Sequence, residues 1–324
     1  MCDESGNILS GGKMRKYFLS SLSVIAICIS LFTAPVSWGA DTDAAPTAVG
    51  GIQSVAAQSV HVGDIDVSYR IIGDGYPLLL ITGYSATMDM WDPLMIRELS
   101  SRFKLILFDN RGIGKTTASD KPFTIELFAE DTIGLMNALK IQRAHILGWS
   151  MGTFIATELA LKYPERVGKL ILYAGNCGWQ GRKVVEARPE VSAALFDLSV
   201  TEEERAKRLI SILFPKKWLE DHPDFLNQLP GPKEPVSTAS IEQQGNAIKA
   251  WPGTCDRLGK LLCPTLIITG TEDVIIPPAN AFLLASRIPG SWLIRLPGGH
   301  SNMYQYPQTF SRCLLAFLEA GIEK

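Results

Sequence analysis

Ser150 stands in Gly148-Trp149-Ser150-Met151-Gly152, with an apolar run, Ala144–Leu147, before it and a helical pattern, Met151–Tyr163, after it. A serine on a sharp strand-to-helix turn is presented as a nucleophile, and a small residue two positions to either side lets the chain pack beside it. The helix would direct the positive end of its dipole at an oxyanion forming on a carbonyl attacked by Ser150, and the N–H of Met151 is the natural first donor. Such an attack needs a base. Of the four histidines, His145 lies in an apolar strand as a satisfied core residue, His61 in an early hairpin and His222 in a charged mid-chain segment. His300 follows the last strand pattern on a loop loosened by Gly298 and Gly299, so a mobile loop would carry it near the carboxyl ends of the strands. His300 is therefore the candidate general base. Asp273 follows the strand pattern Thr265–Thr269, where its carboxylate would orient His300 and stabilise the imidazolium.

Other chemistry-bearing patterns are weaker. Gly114-Lys115-Thr116 looks like the end of a phosphate-binding loop, but that loop needs a glycine where Asp109 stands. No cysteine has the spacing of a metal ligand set, and the reading calls for no metal and no organic cofactor. Trp149 flanks the serine and is a candidate substrate-binding residue lining an apolar acyl pocket, with plain core packing as the alternative.

These residues need a scaffold that brings strand ends together. Short apolar runs alternate with helical patterns: Leu78–Ile81 then Trp91–Ser101, Leu105–Phe108 then Ile125–Leu139, Ala144–Leu147 then Met151–Tyr163, and Leu170–Tyr173. Runs without polar alternation fit parallel strands covered on both faces, so the fold class is α/β, a mostly parallel doubly wound sheet. A β-hairpin, Val60–Val62 with Ile65–Ile72, precedes it. The rhythm stops at 176–258, which is charged, Pro-rich and partly helical, with Thr201 as an N-cap before Glu202-Glu203-Glu204. It resumes with Pro264–Gly270, a helix near Pro278–Arg287, a strand at Trp292–Leu296 and a final helix. The expected organisation is a core of 59–175 and 259–324, interrupted by a helical lid at 176–258. Phe196, Phe214 and Trp218 are its expected substrate-selecting residues.

At 324 residues and 46% hydrophobic the chain can bury a large core, and a net charge of −2 gives no reason to expect a nucleic-acid partner. Lys13, Arg15 and Lys16 precede an apolar run, Tyr17–Ala34, and small residues follow at Ser37, Gly39 and Ala40. Residues 1–40 thus read as an export signal, and 41–58 as an Ala/Thr/Gly-rich linker; an uncleaved anchor is the rival reading and the only route to a membrane. Four cysteines remain beyond the signal. Export permits disulfides, and Cys255 with Cys263 would close a short loop, although single buried thiols fit equally well.

Taken in order, Asp109-Asn110-Arg111-Gly112-Ile113-Gly114, Gly148–Gly152, Gly270-Thr271-Glu272-Asp273 and Gly298-Gly299-His300 resemble the α/β-hydrolase family, particularly its enol-lactonase, haloperoxidase-like and esterase branches. The resemblance runs from about Ser59 to the C-terminus. It implies a tight turn after a strand, braced by Asp109 and Arg111, and a Ser150–Asp273–His300 triad, with Glu272 out of register as a solvated neighbour. The family's other site for the acid, after Leu170–Tyr173, offers only Asn176. It also implies a second oxyanion donor from Thr82-Gly83-Tyr84, the N–H of Tyr84, with Thr82 where many relatives have histidine. The function implied is hydrolysis of a small-molecule carboxylic ester, lactone or thioester. Acyl transfer, carbon–carbon cleavage, aminopeptidase activity and a non-catalytic ligand-binding role are the alternatives; serine at 150 argues against relatives that carry aspartate there.

Overall fold

A computed structural model describes residues 54–178, 184–232, 234 and 236–321. The expected signal and most of the expected linker lie outside the described residues. Among those described, eight strands form one sheet: β1 (Gln58–Val62), β2 (Ile65–Ile72), β3 (Tyr76–Ile81), β4 (Phe103–Phe108), β5 (Ala144–Trp149), β6 (Val167–Tyr173), β7 (Thr265–Gly270) and β8 (Trp292–Leu296). Their spatial order is β1-β2-β4-β3-β5-β6-β7-β8. The β1–β2 and β2–β4 pairs are antiparallel, and the remaining neighbours are parallel.

The apolar runs follow from burial on two sides. Leu79, Ile106, Ile146, Leu170 and Ile267 face one core, while Leu78, Leu105, Leu147, Ile171 and Leu266 face the other. The first core is covered by α2 (Ile125–Ala138), α3 (Met151–Lys162) and α8 (Ala279–Arg287), the second by α1 (Pro93–Ser100) and the final helix (Pro307–Glu319). Helix starts are fixed by side chains: Asp92 accepts from Met95 N, Thr124 from Leu127 N, and Thr201 from Glu204 N as its sequence position suggests. From β3 the chain steps to β4 on one side, and from β5 to β6 on the other, although β3 and β5 are neighbours. The loops after β3 and β5 therefore flank the point where winding reverses, the place at which open α/β sheets form a crevice.

Between β6 and β7 lie α4 (Pro189–Phe196), α5 (Glu202–Leu213), α6 (Lys216–Asp221) and α7 (Thr238–Ala250). The two ends of this helical insertion meet. Cys177 forms a disulfide with Cys255, not the short Cys255–Cys263 loop that spacing alone allows. The reason is tertiary: Thr254 N donates to Cys177 O at 2.7 Å, whereas Cys263 stays a free, half-buried thiol beside Thr265. Below the junction, Glu158 of α3 accepts from Trp251 Nε1 at 2.9 Å and pairs with Arg257. The turn after β4 is braced as the resemblance implies. Asp109 accepts from Met88 N at 2.7 Å, and buried Arg111 pairs with Asp131 at 2.7 Å and Asp64 at 2.9 Å. Among the described residues, no helix is long and apolar enough to cross a membrane.

His145 is in the core as expected, but it is not satisfied. Its ring packs against Tyr76 and Phe103, and its Nδ1 finds no hydrogen-bond partner among the described residues. Burial, helped by the positive charges of Lys169 and Arg143, pushes its pKa down to about 4. The unfolded chain protonates near the ordinary value and the folded chain does not, so this contribution is complete above about pH 6.5. It is lost as pH falls toward about 4, by at most about 1.4 kcal/mol per pH unit. Asp92 and Asp109, pushed up to about 6 by burial, act in the opposite sense. The comparison that isolates the histidine is H145N against wild type. The Tm difference is expected to move in favour of the variant as pH drops from 6.5 to 4; parallel curves would contradict it.

Candidate active site

Ser150 links β5 to α3 with φ of 55° and ψ of −121°, a region that non-glycine residues rarely occupy. Backbone bonds hold it there: Ser150 N donates to Tyr173 O at 2.9 Å, and Ser150 O accepts from Thr153 N at 2.8 Å and Thr153 Oγ1 at 2.7 Å. The flanking glycines are required by contact. A Cβ on Gly148 would strike the carbonyl of Gly152, and one on Gly152 would strike the carbonyl of Ile81. Hence the spacing of the motif: the turn is so sharp that strand and helix pass at backbone distance. Met151 opens α3, so its N–H is a first-turn donor with no intrahelical acceptor.

His300 and Asp273 meet although 27 residues separate them, with Nδ1 and Oδ2 2.8 Å apart and both side chains buried. Asp273 is held from its other oxygen, since Oδ1 accepts from Ile275 N and Ile276 N, each at 2.9 Å. A carboxylate fixed by two backbone donors can offer its remaining oxygen to His300 Nδ1–H, leaving Nε2 free to take a proton. Glu272 is exposed, and Asn176 is spent on a turn, accepting from Gly178 N at 2.9 Å.

The loop bearing His300 is anchored, contrary to the expectation of mobility drawn from its glycines. Tyr173 Oη donates to His300 O at 2.9 Å and accepts from Met303 N at 3.2 Å. Gly299 N donates to Gln305 Oε1 at 2.8 Å, and Ser301 N to Leu213 O in the insertion. Burial raises the Tyr173 phenol well above its usual range, so it remains a donor. Tyr173 does not stand out in the sequence by motif; a tyrosine closing an apolar strand is its signal, since a buried hydroxyl must find a partner.

Ser150 and His300 line one cavity of about 380 Å³. Its wall is mostly apolar, including Met90, Phe154, Leu195, Phe196 and Ile276, with Glu186 and Lys249 as its charged members. Tyr84 borders it, as do Met151 and Trp149. Trp149 has two surroundings: it edges the cavity, yet its ring lies in the core, stacked on Tyr173 and 6.3 Å from the His300 ring. Of the insertion's aromatics, Phe196 lines the cavity, whereas Phe214 and Trp218 stack on each other and pack with Phe225 away from it.

Comparison with known proteins finds hydrolases among the relatives. RutD of Azorhizobium caulinodans, assigned to carbamate hydrolysis, is 29% identical over 268 residues, covering 79% of this chain and 96% of its own. The serine hydrolase BPHL of Mus musculus is 28% identical over 286 residues, covering 85% of this chain and 90% of its own. A thermophilic esterase from Thermogutta terrifontis superimposes with a TM-score of 0.70 at 25% identity, over 81% of this chain and 98% of the esterase. The sequence profile of the alpha/beta hydrolase fold matches residues 76–307, most of the chain, and with this sheet beneath it the chain belongs to the α/β-hydrolase family.

Proposed function

We propose that this protein is a serine hydrolase that cleaves a carboxylic ester, lactone or thioester with an uncharged, largely apolar acyl group. The observation that carries the reading is the buried His300–Asp273 pair, whose histidine lines the same apolar cavity as the strained Ser150. Ser150 Oγ attacks the acyl carbon while His300 Nε2 takes its proton, and the carbonyl electrons move onto oxygen. The N–H groups of Met151 and Tyr84 receive that oxyanion. Collapse expels the alcohol or thiol, which takes the proton from His300 and leaves acyl-Ser150. Water, deprotonated by His300, then releases the acid. No step draws on a metal or an organic cofactor. The apolar wall favours acyl groups that bring no charge, because a buried unpaired charge is costly.

A fluorophosphonate probe combined with a panel of p-nitrophenyl esters tests the reading. Labelling should map to Ser150 by peptide mass spectrometry, and kcat/KM should favour neutral apolar acyl groups over carboxylate-bearing ones. No labelling of Ser150, or a preference for charged acyl groups, would overturn it.

A further inference from the structure

The loop after β3 is gripped by the helical insertion. Ser85 sits at a φ of 57°, uncommon for a serine, as the third residue of a turn closed by Ala86 N donating to Gly83 O at 3.3 Å. Two side chains of the insertion fasten that turn. Gln244 of α7 accepts from Ser85 N at 2.8 Å through Oε1, and Arg205 of α5 donates to Ser85 Oγ at 3.1 Å. From the opposite side, Asn110 Nδ2 donates to Thr82 O at 3.3 Å. Tyr84 thus sits in a stretch fastened at one end to the core and at the other to the insertion.

Gln244 is fully buried, and its Nε2 has no hydrogen-bond partner among the described residues. Burying an amide with half its capacity unused is unfavourable, and an apolar side chain would pack there at less cost. What the glutamine alone supplies is the acceptor for Ser85 N.

We infer that Gln244, with Arg205, is a positioning residue for the oxyanion hole, setting the Tyr84 N–H through Ser85 so that transition-state stabilisation depends on how the insertion is seated. The inference rests on the reading of Ser150 as nucleophile and Tyr84 as donor. It gives the insertion a part in the chemistry beyond selecting acyl groups, yet one that leaves His300 and Asp273 untouched.

The test is Q244M, which keeps the length and apolar stem but removes the oxygen acceptor. Misplacing one donor should cost less than losing it outright, which costs on the order of 10²–10³ in kcat. On the best apolar p-nitrophenyl ester, kcat should fall about 10–100-fold with KM little changed. The rate ratio between that ester and its thiono analogue should shrink, because sulfur already forfeits part of the oxyanion bonding. A merely structural role would not move that ratio. Unchanged kcat and ratio in a folded Q244M, or a rise in KM alone, overturns the inference. Should Q244M not fold, R205M, on the partly exposed α5, carries the same measurement. Fluorophosphonate labelling of wild-type Ser150 separates the two failures: without it the proposed function falls, and with it only the role of Gln244 is at stake.

Discussion

Replacing Ser150 with alanine is expected to abolish turnover, by on the order of 10⁶ in kcat if the loss matches that of other serine hydrolytic centres. The fold should survive. The bonds that hold residue 150 at its unusual φ run through its backbone N–H and C=O, to Tyr173 and Thr153, and do not use the hydroxyl. Alanine brings no bulk that serine lacked, so Gly148 and Gly152 still clear strand and helix. Far-ultraviolet circular dichroism and Tm should therefore match wild type while hydrolysis of the best ester disappears. Activity within tenfold of wild type would sink the assignment of the nucleophile.

D273N is the more discriminating change. Asp273 Oδ1 is committed to Ile275 N and Ile276 N, both donors that only an oxygen can accept. Asparagine will keep its oxygen there and turn its NH₂ toward His300. Nδ1 must then become an acceptor, the ring proton moves to Nε2, and the nitrogen facing the cavity can no longer take a proton from serine. Acylation is expected to slow by about 10⁴, as when the tautomer is inverted in other serine enzymes. Pre-steady-state release of p-nitrophenol measures it. E272Q, an exposed side chain, should change the rate little, and a larger loss there than in D273N would mean that the acid is misassigned.

Much of this was legible because local pattern and tertiary role coincide. The two-sided burial that produces Leu78–Ile81 and Ala144–Leu147 is a property of each run by itself, and so is the backbone clearance demanded of Gly148 and Gly152. What escaped depended on partners far along the chain. Glycines at 298 and 299 speak for looseness, but the Tyr173 hydroxyl supplies restraint from the end of β6. Spacing brings Cys263 near Cys255, yet the neighbour in space comes from the end of β6. Phe214 is apolar like Phe196, and only the placement of α4 and α5 decides which of them meets the cavity.

The Cys177–Cys255 bridge also bears on how so long an excursion between adjacent strands can be tolerated. Each time a chain folds, the ends of an insertion must be brought together, an entropic cost that grows slowly with length. A permanent cross-link between residues 78 apart removes that closure from the folding reaction, a difference of about 4–5 kcal/mol in the chain-entropy picture. The helices between the cysteines form a ring closed just beyond β6. Their cavity-facing residues are free to be exchanged without the core having to find the two ends again.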